Sequence, residues 1–340
     1  MTALLRALPF ILLAAATCAA QGRRDVEVRA SRTDSDVGQY PEIGFVFGTQ
    51  AKPQDLQHAS VDPRVPSRGR LVIWLMPHNP QLFERLTGYG FHAIQVHYAN
   101  GWFGKLYGGP PPADDLFLSK VRLEAATGRD FSDAVAIPEP DGIMGRSLRF
   151  VKWLHREHPR DGWDQFIAPK GRDLRWDRVV LAGISHGATT AARMAKHVKV
   201  ERVVMFSGPR DQFERWQSLP SATPPERFFG FTHVLDDGWT HDHYCRSWQM
   251  LGLQEFGPVT DVDQVAPPFG DSRRLITAAD VKGDAKRAHN AVVPGGSAAR
   301  DSNGKFLHEA VWKHLFTHPV ERVGVPVPPD PSCRMNQRNK

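Results

Sequence analysis

Five residues in the middle of the chain have the types and spacing to do chemistry: Gly183-Ile184-Ser185-His186-Gly187. Gly-x-Ser-x-Gly also occurs by chance, so its neighbours decide what it means. Before it runs Arg178-Val179-Val180-Leu181-Ala182-Gly183, which reads as a buried strand. After it comes the small-residue run Ala188-Thr189-Thr190-Ala191-Ala192, which reads as a helix. A serine on the sharp turn between them takes an unfavourable backbone conformation, and the flanking glycines let strand and helix approach. Its Oγ then projects alone, as a nucleophile requires. The helix starting beside it aims free N–H groups and its positive dipole end at an oxygen that gains charge. The competing reading of Ser185 is an ordinary helix N-cap.

Such a serine needs a rigid frame, and the pattern from residue 71 onward supplies one. Short apolar runs at 71–76, 91–96, 178–183, 202–207 and 227–233 read as strands buried on both faces, with a further strand at Arg274-Leu275-Ile276-Thr277. Between them, 80–86, 141–157 and 186–197 suit helices, and 306–316 suits a last amphipathic helix. Strand and helix in alternation predict an α/β domain with a doubly wound, mostly parallel sheet. Residues 21–69 are polar and irregular apart from an edge strand expected at 43–47. The stretch 98–139, with Gly-Gly-Pro-Pro-Pro at 108–112, reads as a surface loop, and 321–340 as an extended tail. The segment between the strands ending at 207 and starting at 227 is too short for a large cap domain, which predicts an open cleft.

With its elbow on that frame, the chain resembles the α/β-hydrolase superfamily, and within it the secreted serine esterases, over residues 71 to about 318. The resemblance implies cleavage of carboxylic esters through an acyl-enzyme, with no cofactor and no metal, on a small-molecule or surface-exposed ester. It places the acid after the strand that follows the elbow and the base after the next strand, in the order Ser, Asp, His. Asp236 then orients His289, which takes the proton of Ser185. Asp237 remains the alternative acid, although strand alternation turns it the other way. His308, His314 and His318 compete with His289, but they sit on a helix expected to pack the domain and show a solvated face. For the oxyanion, the resemblance implies the backbone N–H groups of His186 and Asn79. The second departs from the family pattern, because Pro77-His78-Asn79-Pro80 has no glycine where relatives use one. That departure feeds one rival, a catalytically silent binding protein on the same fold; the other is an acyltransferase or peptidase on the same triad.

Other residue groups were weighed for roles of their own. His233, Asp236, Asp237, His241, Asp242 and His243 crowd together, yet they lack zinc-hydrolase spacing and read as turn, cap and solvent residues. Trp102, with Phe103 and Tyr107, follows a strand on the edge where ligands gather and is the candidate substrate-binding aromatic. Arg122, Glu124, Arg129 and Asp130 read as an ion-pair set without a catalytic role.

The remaining composition narrows the class. In 340 residues, 41% hydrophobic, a sizeable core is available, and 43 Lys and Arg against 37 Asp and Glu give +6 with no basic run longer than a pair. Nucleic acid is therefore not an expected partner. Arg6, the apolar run 7–16 and Cys18-Ala19-Ala20 read as a signal peptide cleaved near Ala20, with no transmembrane span, so the mature protein is expected outside the cytoplasm, secreted or periplasmic. Cys18 lacks the residues usual before a lipidated cysteine. Cys245 and Cys333 remain, and a bridge pinning the Pro-rich tail is favoured over two free thiols.

Overall fold

The structure is a computed structural model and describes residues 22–107, 113–211 and 215–333. The expected leader with Cys18, the Gly-Pro run at 108–112 and the end of the tail lie outside the described residues. Nine strands form one sheet: β1 (Arg24–Arg29), β2 (Leu56–Val61), β3 (Leu71–Trp74), β4 (His92–Gln95), β5 (Val179–Ile184), β6 (Arg202–Phe206), β7 (Phe228–His233), β8 (Val259–Asp261) and β9 (Arg274–Thr277). Their order across the sheet is β1-β2-β4-β3-β5-β6-β7-β9-β8. The pairings β1–β2 and β2–β4 are antiparallel, and all others are parallel. This is the doubly wound architecture that the strand and helix alternation predicted, and the order is that of the α/β-hydrolase fold.

Ten helices accompany the sheet among the described residues: α1 (Ala30–Thr33), α2 (Pro80–Gly88), α3 (Trp102–Leu106), α4 (Phe117–Thr127), α5 (Ile143–Glu157), α6 (His186–His197), α7 (Asp237–Thr240), α8 (His243–Met250), α9 (Ala285–Ala291) and α10 (Glu309–Thr317). The parallel strands are apolar on both faces because helices cover both. On one side Ile73, Leu181 and Met205 meet Phe150, Val151 and Leu154 of α5 and Ala188, Ala191 and Ala192 of α6. On the other, Val72, Val180 and Val204 meet Leu82, Phe83 and Leu86 of α2 and Trp312, Leu315 and Phe316 of α10.

The chain runs from β3 through α2 to β4 on one side, then returns to β5 on the other side of β3. The order therefore reverses between β3 and β5. Neighbouring strands whose connections leave in opposite directions open a crevice at their carboxyl ends, and ligands gather there.

The departures from the sequence reading have physical causes. No strand forms at 43–47, where a short 3-10 turn, Pro41–Ile43, closes on the isolated bridge between Tyr40 and Phe45. The N-terminal strands are instead β1 and β2. Charged residues alternate along the outermost strand, Arg24-Asp25-Val26-Glu27-Val28-Arg29, so no apolar run announced it. The stretch 98–139 is not merely a loop, since it carries α3 and α4. The latter is buried nearly all round and lacks the amphipathic stripe that marks a surface helix. Between β6 and β7 the described residues hold only short 3-10 turns. Cys245 on α8 and Cys333 in the tail stand with Cα atoms 5.6 Å apart, within the span of a disulfide.

Gly187 is the tightest contact between β3 and α6. A Cβ built there would lie 1.7 Å from the carbonyl oxygen of Leu75. Gly187→Ala is therefore expected to lower stability by about 1–3 kcal/mol, the usual cost of overpacking. Gly296→Ala, where a Cβ meets nothing within 4 Å, serves as the control. Urea unfolding midpoints of the two variants check this.

Candidate active site

Ser185 sits between β5 and α6 with φ 57° and ψ −124°, a conformation side chains rarely adopt. Its N–H donates to Phe206 O at 3.0 Å, and its own carbonyl accepts from Thr189 N at 3.1 Å, so both neighbours hold the turn. Its side chain accepts no capping hydrogen bond from the helix that follows, which separates it from an ordinary N-cap. A Cβ on Gly183 would lie 2.4 Å from the backbone of Gly187. Both glycines of the motif are thus required by close packing.

Asp236 follows β7 and caps α7, its Oδ1 accepting from Gly238 N at 2.9 Å and from the Tyr244 hydroxyl at 3.1 Å. Its Oδ2 lies 2.8 Å from His289 Nδ1. Asp236 is 1% exposed. Burial pushes its carboxyl up, but the hydrogen bond and charge of His289, with the Gly238 N–H, outweigh this and leave it below the usual carboxylate range. Asp237 points away, not through strand alternation, since β7 ends at His233, but as the first residue of α7, and it pairs with Arg210 and His241 at 3.1 Å each on the surface. His289 is not in a loop; it lies on the short helix α9. Its carbonyl accepts from Ser207 Oγ at 2.9 Å, and Ser207 closes β6 beside Gly208, whose Cβ would lie 3.4 Å from Ser185 O. Ser185 after β5 and Asp236 after β7 thus stand at the carboxyl edge of the sheet, and α9, which follows β9, brings His289 to Asp236 and Ser207.

His186 has an elaborate setting that the sequence did not reveal. Its ring lies between Trp102, edge-on with centroids 5.1 Å apart, and Phe103, at 4.3 Å. Its Nδ1 accepts from Arg122 at 2.9 Å, and the same nitrogen of Arg122 reaches Thr190 Oγ1 at 2.9 Å. Arg122 is also held by Asp211 through two hydrogen bonds, at 2.9 and 2.6 Å, and both side chains are fully buried. Burial, then the Arg122 cation, drives the His186 imidazole well below its usual range and keeps it neutral. Arg122 therefore pairs with Asp211, not with its sequence neighbours. Glu124 instead accepts the N–H groups of Phe131, Ser132 and Ile137. The signal was an arginine between Val121 and Leu123 on a helix with no polar face.

Trp102, expected to line a substrate pocket, is 1% exposed and braces His186 from behind, because α3 folds into an apolar cluster with Leu118 and Val121. The side chain of Asn79 holds the turn. Its Oδ1 caps α2 through Leu82 N at 3.0 Å, and its Nδ2 donates to Pro294 O at 2.8 Å. These bonds leave its backbone N–H out. The segment lying on the elbow is Leu75–Met76, three residues earlier, and Met76 Cγ would lie 2.8 Å from a Cβ on Gly187. Among the described residues, no acceptor takes the backbone N–H of Met76, Asn79 or His186.

The histidines that competed for the catalytic role are held by the fold. His233 bridges Leu235 N and Ala279 O, and His241 bonds Asp237. His308, His314 and His318 are buried, at 2%, 6% and 7% exposure; the solvated face of α10 is carried by Ala310 and Lys313, and the histidines turn inward.

No family model matches the sequence, and no curated protein matches it. Among solved structures, it is similar to a protein described as a dienelactone hydrolase from Klebsiella pneumoniae, at 12% identity and TM-score 0.36, covering 82% of this chain and 94% of that one. It is also similar to a lidless serine hydrolase from Xanthomonas campestris, at 11% identity and TM-score 0.31, covering 70% and 86%. A thermostable esterase from Pseudomonas putida gives 11% identity and TM-score 0.35, covering 90% and 85%. The α/β-hydrolase fold stands on the strand order and the elbow.

Replacing Arg122 by methionine leaves Asp211 buried without its partner. Arg122→Met is expected to cost about 3–5 kcal/mol, and the double variant with Asp211→Leu to recover most of it. Chemical denaturation of the three proteins measures both. Acid should weaken the fold as well. His78 and His97 are pushed down to about 4 and His314 to about 3, chiefly by burial, from an ordinary 6.5. The unfolded chain thus binds protons that the folded chain refuses. Stability is full above pH 6.5 and is lost progressively as pH falls toward 4, and the depressed Asp236 carboxyl extends the loss below that. Urea midpoints between pH 7.5 and 4.5 should fall, and His314→Phe should narrow the difference.

Proposed function

We propose that this chain is an exported serine hydrolase that cleaves carboxylic esters through an acyl-enzyme. The observation that carries the reading is the 2.8 Å contact between His289 Nδ1 and Asp236 Oδ2 at the sheet edge that also presents the strained Ser185. Asp236, buried and acceptor-saturated, fixes the His289 tautomer with the proton on Nδ1 and the lone pair on Nε2, the form a general base needs. Ser185 Oγ attacks the ester carbonyl, and His289 takes its proton and returns it to the leaving alcohol. Water then repeats the step in reverse order and frees the acid. Charge on the carbonyl oxygen is met by the N–H of His186 at the start of α6 and by a second N–H from the turn after β3, that of Met76, which lies against Gly187, or of Asn79. Rigid support of His186 by Arg122 favours this, since a donor that need not reorganise stabilises the oxyanion most. The chemistry draws on side chains and backbone alone. Substrates are small or surface-exposed esters.

Export rests on the leader-like residues 1–20, and with it goes a disulfide between Cys245 and Cys333, whose Cα spacing of 5.6 Å suits one. The bond ties the tail to α8.

A fluorophosphonate probe tests the reading. Labelling of Ser185, lost in Ser185→Ala and in His289→Ala, with ester turnover falling at least about 10³-fold in either, is the expected result. Absence of labelling in folded protein would instead favour a silent binding protein. Intact mass of the exported chain in the same experiment reads cleavage near Ala20 and the loss of two hydrogens at the cysteine pair.

A further inference from the structure

Beside the elbow lies a cleft of about 290 Å³, built from the carboxyl ends of β3 and β4 and the start of β2. Its wall at Met76 is shared with the candidate active site, and β4 is two strands from β5, so the cleft opens about 10 Å from Ser185. The lining is unusual in what it contains. His58, His78, Gln95, His97, Tyr98 and Asn100 bring hydrogen-bonding groups, the other lining residues are uncharged, and no Asp, Glu, Lys or Arg is present.

The imidazoles are arranged in flat, partly covered surfaces. His58 and His78 stack with centroids 3.9 Å apart, and His97 stacks on Phe45 at 4.3 Å. Burial holds His58 below its usual range and His78 and His97 down to about 4, so all three are neutral at physiological pH. A neutral imidazole offers one donor and one acceptor. Among the described residues, Nε2 of His78 and of His97 has no partner.

This lining selects its occupant by chemistry. A carboxylate would leave water for a lining with no cation, with Glu27 already 3.7 Å from His58 Nδ1, and an ammonium would find no carboxylate among the lining residues. A hydrocarbon chain would leave the polar groups unpaired, at the cost of their desolvation. A neutral group rich in hydroxyls fits both requirements, because each hydroxyl donates and accepts and its C–H faces lie on imidazole and aromatic rings. The volume, near the lower limit of about 300–1,000 Å³ for small-molecule sites, admits a group of roughly one sugar ring.

We propose that this cleft binds the alcohol portion of the substrate, and that this portion is an uncharged polyol or sugar carrying an ester on one hydroxyl. The inference rests on the serine-hydrolase reading. Water supplies the second oxygen of the released acid, and the sugar hydroxyl leaves with the proton from His289.

The experiment compares kcat/KM for an acetylated methyl glucoside with that for phenyl acetate in the full chain and in Gln95→Leu and His97→Leu. The wild type should prefer the sugar ester. Each variant, shown folded by circular dichroism, should lower the ratio about tenfold through the KM of the sugar ester, the effect of losing one or two neutral hydrogen bonds. A wild type that prefers phenyl acetate, or a ratio unmoved in both variants, overturns the proposal. If neither ester turns over and Ser185 takes no probe, the hydrolase reading fails instead. Saturation-transfer NMR of methyl glucoside on Ser185→Ala then decides the cleft alone: signal lost in the Gln95→Leu background supports it, and no signal rejects it.

Discussion

The site depends on one close approach, that of the end of β3 onto the turn after β5. It is possible only because Gly187 has no side chain where Leu75 presents its carbonyl oxygen. The same contact keeps Ser185 at φ 57°, a conformation that costs on the order of 1–3 kcal/mol and persists only where the surroundings over-determine it. Hydrogen bonds to Phe206 and from Thr189 complete that control. The sheet reverses direction at this contact, so the strain falls in the crevice where a ligand would lie.

Around the turn, the candidate groups are fixed from outside as well as by one another. Asp236 is held by the end of α7 and by Tyr244, both independent of His289. His186 is held by Arg122, which is held in turn by Asp211, with two aromatic rings closing the remaining faces. A buried ion pair of this kind is poor evidence for stability, since desolvation offsets much of its attraction. Its geometric consequence is firmer: it leaves His186 a single position. Donors fixed before reaction need no reorganisation when charge develops.

The edge of the sheet thus divides into two neighbouring regions with different electrostatics. The elbow carries a buried anion, Asp236, and a buried cation, Arg122, each matched by partners. The cleft beyond Met76 carries neutral hydrogen-bonding groups and no formal charge. Met76 belongs to both, so a group seated in the cleft would adjoin the residue that lies on the elbow.

Much of this was readable from residue types and spacing. The buried parallel strands declared themselves as apolar runs, and Gly183 and Gly187 around Ser185 declared the turn, because both signals arise within a few residues of local sterics and burial. What escaped were features set by distant partners. The outermost strand, with alternating charges, and α4, buried all round, lack the periodicity by which strands and helices are recognised. Arg122 meets Asp211 across 89 residues, a pairing no local pattern encodes. Trp102 turned inward because α3 had an apolar cluster to join, and the Asn79 side chain caps α2, which begins directly after it. Local sequence decides which conformations are cheap, whereas the partner of a buried charge, ring or N–H is chosen by whatever chain the sheet order brings beside it.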